Sequence, residues 1–187
     1  SAYLVVTHKN LLNSARAYAA YRAADYDTLV VDIEELYHQF GGGIFKNSIS
    51  LKRFLNLTMD QWPKWPSHLF LIGKSVKPAP ESYEPGSRKD TTSYALNLVP
   101  TWGMPGSDNH YSTDIYSGSR YYLIPTGRLS ASSNLEVTNY LQKMTEIEDN
   151  QDPTSLYSIA NKEWQKNVLH FGGGSDSAEQ AYINSWL

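Results

Sequence analysis

The sequence contains no cysteine among its 187 residues. This absence excludes disulfide bonds, thiolate metal sites and a cysteine nucleophile within the chain. It leaves the cellular compartment open, because exported bacterial proteins also often lack cysteine.

Clustered positive charge and long apolar runs are absent as well. The chain has 16 Lys and Arg against 19 Asp and Glu, a net charge of −3, with no basic block. Nucleic-acid binding needs clustered Lys and Arg, so we expect no nucleic-acid partner. No run of 18 apolar residues occurs, so we expect no membrane span. Residues 1–7 lack a charged leader, and we expect any signal peptide to lie upstream.

What is present is an ordinary globular composition. Apolar residues make up 41% of the chain and charged residues 19%, with 14 Tyr and 5 Trp. This length suits one domain or one large subdomain, and the apolar share is enough for a sizeable core.

The first third of the chain alternates between apolar runs and helical patterns. Three short apolar runs predict buried parallel strands, at Tyr3–Thr7, Thr28–Asp32 and Ser67–Gly73. Helical spacing separates them, at Asn10–Tyr26, Ile33–Phe40 and Ser48–Trp62. Strands and helices joined in this order favour a parallel sheet with right-handed crossovers.

The alternation stops at residues 74–119, which are rich in Pro, Ser and Tyr. A segment of this length is typical of a functional loop or an insertion with its own short strands, and we predict one strand at Asn97–Thr101. Beyond it we predict further elements, namely strands at Arg120–Pro125 and Val168–Phe171 and helices at Leu135–Glu148, Ser158–Lys166 and Ala178–Leu187. The last helix carries no stop signal, so we expect the chain to be a fragment.

Together these patterns predict an α/β fold of three layers. We expect a mostly parallel sheet of four to five strands with helices on both faces, forming one subdomain over residues 1–187.

Several segments, taken in order, resemble the gingipain-like cysteine peptidase family. The segments are YLVVTH, TLVVDIEELYHQFGGG, WPKWPSHLFLIGKS, NLVPTWGMPGSDNHYSTD, GRLSASSNLEVTNYLQKMTEIE and EWQKNVLHFGGGSD. The family shows a Val-Pro-Thr approach, a Ser-Asp-x-x-Tyr element, and a strand that ends in Gly-Arg-Leu/Phe-Ser before a helix. The similarity covers nearly the whole chain.

The resemblance implies a fold and a role. The family's catalytic domain has two caspase-like α/β subdomains, and only the second carries the catalytic His and Cys. This chain resembles the first, so we expect an N-terminal, non-catalytic subdomain that supports and partly lines the active-site cleft. Its expected partners are the catalytic subdomain of the same polypeptide and a peptide or protein substrate. The family includes secreted proteases and the sortase of the type IX secretion system, which implies an extracellular or cell-surface location and no activity of this chain alone.

The resemblance also suggests candidates for substrate specificity. In the family, the segment after the last predicted strand approaches the substrate pocket, where an acid can set preference for a basic residue. Asp176 and Glu179 are the acids nearby, although they also suit the start of a helix, whose dipole favours negative charge. His170 lies near the end of that strand, where ligand clefts form in open parallel sheets, and is either functional or a hydrogen-bonded structural residue.

The segment around Asp108 and Asp114 is rich in oxygen-bearing side chains. Calcium prefers such ligands, and structures of the family carry calcium sites, so these two residues are candidates for a calcium ion. We expect no cofactor to be required, and the alternative is an Asx-turn that orders the loop. Arg128 is predicted to brace this loop by a bidentate pair with Asp108, or else to bind a carboxylate at the subdomain interface.

A second function is compatible with the same fold. The segment Gly172-Gly173-Gly174-Ser175 follows a predicted strand and precedes a predicted helix. Backbone amides at such a helix start can bind phosphate, although the segment matches neither a Walker A nor a GxGxxG motif. The alternative is therefore a non-enzymatic, caspase-like or flavodoxin-like module that binds an anion or nucleotide at its strand ends.

Overall fold

The apolar runs of the sequence form the centre of a parallel sheet. A computed structural model describes residues 2–76, 90–103, 105–113, 123–151, 167–168 and 175–185. Its four strands are β1 (Ala2–Thr7), β2 (Asp27–Asp32), β3 (His68–Ile72) and β4 (Thr126–Leu129). They lie in the order β2-β1-β3-β4, and every neighbouring pair is parallel.

Six α-helices and two short 3₁₀ helices accompany the sheet in the described residues. The α-helices are α1 (Leu12–Arg22), α2 (Ile33–Phe40), α3 (Ile49–Gln61), α4 (Thr91–Leu96), α5 (Asn134–Gln151) and α6 (Ser177–Asn184). The 3₁₀ helices are Lys9–Leu11 and Asp108–Ser112. None of the helices in the described ranges is long and apolar enough to cross a membrane.

Side chains of the sheet alternate between two apolar cores. Leu4 and Val6 of β1 face a core built with α2 and α3, whereas Tyr3 and Val5 face a core built with α1 and the start of α5. This alternation follows from the two-residue period of a strand. The sheet therefore has helices on both faces, which confirms the predicted three-layer α/β class.

The described residues group into two compact units, Ser1–Gln142 and Lys143–Leu187. The first contains the whole sheet, α1 to α4 and the start of α5. The second contains the end of α5 together with α6. None of the described residues of α6 is buried.

The predicted strand at Asn97–Thr101 is wrong. The backbone there does not form the hydrogen bonds of a β-sheet. Instead, the N–H groups of Leu98 and Val99 both donate to the carbonyl of Lys74, at 2.9 and 3.2 Å. The carbonyl of Asn97 accepts from a lysine side chain instead of a strand. Pro100, in addition, has no N–H to donate to a neighbouring strand.

The fourth strand lies later than predicted. Residues 120–122 of the predicted strand Arg120–Pro125 lie outside the described part, and residues 123–125 are not in a strand. The observed strand is Thr126–Leu129, where Gly127 lies opposite Phe70 and an added Cβ would be in ordinary van der Waals contact with that ring, at 3.4 Å. The short sequence TGRL lacks an apolar run, so its strand conformation depends on pairing with β3.

The predicted helix Ser158–Lys166 lies outside the described residues. Of the predicted strand Val168–Phe171, the structure describes only Val168, which is exposed and in no regular element.

Candidate functional site at the carboxyl edge of the sheet

The carboxyl ends of β1, β3 and β4 lie at one edge of the sheet, where open parallel sheets bind ligands. A segment over residues 97–113, here called the edge loop, contacts this edge. Residue 104 of the edge loop lies outside the described part.

Arg128 in β4 joins the edge loop to the sheet. Its Nε and Nη2 atoms donate to the two carboxylate oxygens of Asp108, at 2.6 and 2.8 Å. Nη1 donates to the carbonyls of Gly73 and Val99, at 2.7 and 2.8 Å, and Nη2 also reaches the carbonyl of Pro100 at 3.1 Å. All five N–H donors of the guanidinium are thereby used. This geometry confirms the predicted bidentate pair between Arg128 and Asp108.

Gly73 allows the edge loop to approach the end of β3. Its φ of +150° is rarely adopted by residues with a side chain. A Cβ atom at this position would lie 2.8 Å from Cγ2 of Val99. The glycine is therefore required both by its backbone conformation and by the proximity of the loop.

Lys52 in α3 holds the other end of the edge loop. Its side chain is buried, and Nζ donates to the carbonyl of His110 at 2.6 Å, to Oγ1 of Thr113 at 2.6 Å and to the carbonyl of Thr113. Nζ also lies 5.5 Å from the centroid of a Trp102 ring. A buried cation is stabilised only when such partners surround it, so this arrangement fixes the loop against α3.

Tyr111 closes the interior of the edge loop. Its ring is fully buried and packs edge-on against Trp102, with centroids 6.1 Å apart. The hydroxyl donates to the carbonyl of Pro100 at 2.7 Å. Burial raises the pKa of Tyr111 well above its usual value, so the phenol stays protonated and serves as a donor.

His8 follows β1 directly and connects it to α2. Nδ1 accepts from the backbone N–H of Asn10 at 3.2 Å, and Nε2 lies 3.1 Å from Oε1 of Glu34. Lys9 reaches the other oxygen of Glu34 at 3.0 Å. Burial, and then the charge of Lys46, lower the pKa of His8, against an opposing effect of Glu34. The imidazole is therefore neutral at pH 7, with its proton on Nε2.

Lys46 extends this cluster towards the edge loop. Its Nζ donates to the carbonyl of Asn97 at 2.5 Å and lies 5.3 Å from the centroid of the Tyr94 ring. Burial lowers the pKa of Lys46, while Glu34 raises it. Lys46 also has a φ of 60°, unusual for a residue other than glycine.

The predicted specificity residues lie in the C-terminal unit. Asp176 caps α6, since its Oδ1 accepts from the N–H groups of Ala178 and Glu179, both at 2.9 Å. Glu179 accepts from the N–H and the hydroxyl of Ser175, at 2.8 and 2.6 Å, and these bonds lower its pKa. Both acids are exposed, and a role in specificity stays a prediction. His170 lies outside the described residues.

The predicted calcium ligands are only partly described. Asp114 lies outside the described residues, and both oxygens of Asp108 already accept from Arg128. In the described ranges, no three or more Asp, Glu or His side chains are placed to hold a metal ion. The described groups around Asp108 therefore do not form a calcium cage by themselves.

Three polar residues of this edge were not predicted from the sequence: His8, Lys46 and Lys52. His8 had a usable signal, because it directly follows a predicted strand. Lys52 had a weaker one, because it shares a helix face with the buried Asn56 and Met59. The side chains of the edge are engaged with backbone groups or with one another, so the arrangement orders the loop.

Comparisons with known proteins agree with this fold. The family model for peptidase family C25 matches residues 1–186. Among solved structures, the chain is similar to dimeric latent PorU from Porphyromonas gingivalis, with a TM-score of 0.63 and 16% sequence identity. The alignment covers 98% of this chain and 20% of the PorU chain. No curated protein sequence matches the chain.

The likeness to PorU shows a shared fold, and the chain spans about a fifth of the PorU chain. The family model covers all but the last residue of the chain, which confirms the resemblance drawn from the ordered motifs. The chain therefore belongs to peptidase family C25, the family of the gingipains.

Proposed function

We propose that residues 1–187 form the N-terminal, non-catalytic subdomain of a gingipain-like cysteine peptidase or sortase. The observation that carries the proposal is the match to this peptidase family over residues 1–186 of a chain without cysteine. A cysteine peptidase needs a thiolate nucleophile beside a base. The nucleophile must then come from another part of the polypeptide.

The geometry of the sheet edge supports a structural role beside a cleft. Arg128 and Lys52 hold the edge loop from two elements. They donate five hydrogen bonds to its backbone carbonyls or to Oγ1 of Thr113, and Arg128 also pairs with the carboxylate of Asp108. A pre-organised wall of this kind can position a substrate without taking part in bond cleavage. We therefore assign this edge to the support and partial lining of the active-site cleft.

The proposal also covers the parent polypeptide, its substrate and its location. The catalytic subdomain would be a further part of the same polypeptide, and the substrate a peptide or protein. An exported protein at the cell surface or outside the cell fits the family resemblance. The small share of PorU that the chain covers supports a larger parent protein.

The proposal is tested by comparing the isolated chain with the longer polypeptide. We expect purified residues 1–187 to release no fluorophore from peptide substrates ending in Arg or Lys. The longer polypeptide should turn over a peptide, and a thiol-alkylating reagent should stop it. Turnover by the isolated chain that is lost on substitution of one of its own residues would contradict the proposal.

Substrate specificity is proposed for Asp176, Glu179 and His170. In the longer polypeptide, D176N and E179Q should lower kcat/KM for Arg or Lys substrates more than for neutral ones. E136Q is the matched control, because Glu136 also accepts from backbone N–H groups at a helix start, those of Ser132 and Ser133. Equal effects of all three variants would mean that the acids only cap helices.

Calcium binding is proposed for Asp108 and Asp114 as a stabilising, non-essential feature. Calcium should then raise the Tm of the chain, and D114N should remove that rise. An unchanged Tm on addition of calcium or of a chelator would exclude the site.

A further inference from the structure

His8 begins the turn that joins β1 to α1 at the carboxyl edge of the sheet, and this turn over residues 8–11 is here called the edge turn. His8 is 7% exposed, and both of its ring nitrogens are engaged. Nδ1 accepts from the backbone N–H of Asn10 at 3.2 Å, which caps the 3₁₀ helix of the turn. Nε2 lies 3.1 Å from Oε1 of Glu34 in α2. The ring therefore connects the edge turn to α2.

The edge turn also contacts the start of α5. The carbonyl of Asn10 accepts from Nδ2 of Asn134 at 2.8 Å, and Oδ1 of Asn134 accepts from the hydroxyl of Ser14 at 2.7 Å. A run of hydrogen bonds thus leads from the His8 ring to α5. Leu11, at the end of the turn, is buried in the core and fixes that end. Any movement of the edge turn is therefore limited to the part before Leu11.

Protonation of the His8 ring is incompatible with the capping bond. In the neutral ring with its proton on Nε2, the lone pair of Nδ1 is the acceptor for the N–H of Asn10. A second proton binds at this lone pair and turns Nδ1 into a donor. Two donors then face each other in a largely buried position, so the bond is lost and neither donor has its acceptor.

Four charged groups lie near the ring in the described part of the chain. They are Lys9 in the edge turn, Asp32 at the end of β2, Glu34 in α2 and Lys46 before α3. The two acids favour the imidazolium, but Asp32 already caps α2 and Glu34 already pairs with Lys9. Burial, and then the charge of Lys46, hold the pKa of His8 below its ordinary value. The closed turn therefore excludes a proton that a solvated ring would accept.

We propose that His8 is an acid-sensitive latch, whose protonation releases residues 8–10 from the carboxyl edge and from the start of α5. As the pH falls below about 6.5, the open form takes up the proton first, because water solvates its imidazolium. The core residues of β1 and Leu11 stay in place, so the opening is local. The latch would make one side of the proposed cleft wall depend on pH. Only this last consequence rests on the proposed function.

The first measurement is an NMR titration of the His8 ring in the chain of residues 1–187, from about pH 7.5 to pH 5. We expect the Nε2-protonated tautomer at the upper end and a pKa below that of His8 in an unfolded peptide of the same local sequence. A pKa equal to or above the peptide value would overturn the proposal, because the closed turn would not exclude the proton.

Hydrogen exchange at the amide of Asn10 reports on the opening itself. After correction for the intrinsic pH dependence of exchange, its protection should fall by up to about tenfold per pH unit below about pH 6.5, because opening takes up one proton. The amide of Thr92 is the matched control. Asp90 caps it from two residues earlier, and hydrogen bonds, first that of the Ser93 hydroxyl, lower the pKa of Asp90, so this protection should stay constant. Constant protection of Asn10 while His8 titrates would mean that the ring is protonated in place, against the proposal.

Two substitutions separate the latch from other titrating groups. His8→Asn retains a capping oxygen but takes up no proton, so the protection of Asn10 should become independent of pH. Lys46→Met removes an opposing positive charge, so the pH dependence should become shallower. An unchanged pH dependence in His8→Asn would overturn the latch, and in Lys46→Met it would overturn the part assigned to Lys46. The two measurements on the unsubstituted chain decide the proposal even if a variant does not fold.

Discussion

Arg128 and Asp108, 20 residues apart in the sequence, form a bidentate pair with donor–acceptor distances of 2.6 and 2.8 Å. The arginine side chain is 11% exposed and the aspartate 22%, so water screens the pair only partly. The same guanidinium holds three backbone carbonyls. Its loss would remove the donor to Asp108 and to the carbonyls of Gly73 and Val99, while the carbonyl of Pro100 would still accept from Tyr111.

We therefore expect Arg128→Leu to lower the free energy of unfolding by about 2–4 kcal/mol, because one partner of a largely buried pair is removed. Urea unfolding followed by circular dichroism measures the change. Arg53→Leu is the control: Arg53 bonds one carbonyl, that of Phe40, in an exposed position, and should cost less than about 1 kcal/mol. Equal costs for both variants would contradict this account of the edge.

Lys52→Met should destabilise the chain by about 1–3 kcal/mol, since it leaves the carbonyl of His110 and two oxygens of the buried Thr113 without this donor. Hydrogen exchange should rise in residues 105–113 more than in β1. Lys9→Met, which removes an exposed partner of Glu34, is the matched control and should leave exchange in the edge loop unchanged. Unaltered exchange in the Lys52 variant would show that Lys52 does not hold the loop.

A pair of glycine substitutions separates backbone strain from steric conflict. Gly42 has a φ of +63° and nothing within 4 Å of an added Cβ, so Gly42→Ala should cost about 1 kcal/mol from conformation alone. Gly73→Ala adds a contact of 2.8 Å with Val99 and should cost at least about 2 kcal/mol. Thermal and urea unfolding measure both. A smaller cost at Gly73 would mean that the edge loop yields easily.

His8 predicts how stability depends on pH. Its pKa in the folded chain lies below the ordinary value of 6.5, chiefly because of burial. The unfolded chain therefore binds the proton first, and stability rises with pH in this range. The contribution is fully present above about pH 6.5 and is lost as the pH falls through the lower folded-state pKa.

The measurement is urea unfolding at several pH values between about 7.5 and 5. His8→Asn, which keeps an acceptor for the N–H of Asn10 but does not titrate, should show a flatter profile over this range. If the two profiles have the same slope, His8 is not the group responsible.

The sequence predicted best the helices and strands whose own residues carry a local pattern. The apolar runs of β1, β2 and β3 and the helical spacing in α1, α2 and α3 each give a local signal, and their bounds agree to within a few residues. Helix α4 was missed because it lies in a Ser- and Pro-rich segment. Its start is nevertheless capped by Asp90, which accepts from Thr92 and Ser93.

The features that depend on distant residues were harder to predict. Strand β4 forms against β3, more than 50 residues earlier, and its own sequence has little strand preference. Lys52 bonds to residues 58 and 61 positions away, and no local pattern marks a buried lysine with such partners. Arg128 and Asp108 were predicted as a pair because a guanidinium can bind a carboxylate through two hydrogen bonds and so brace the loop.

Arg128 and Lys52 together donate five hydrogen bonds to backbone carbonyls. The carbonyls are those of Gly73, at the end of β3, and of Val99, Pro100, His110 and Thr113 in the edge loop. Every residue supplies a carbonyl, whatever its side chain. The two cations can therefore keep the loop in place while most of its side chains are exchanged. Evolution, or a protein engineer, can alter the chemistry of the edge loop without rebuilding the scaffold beneath it.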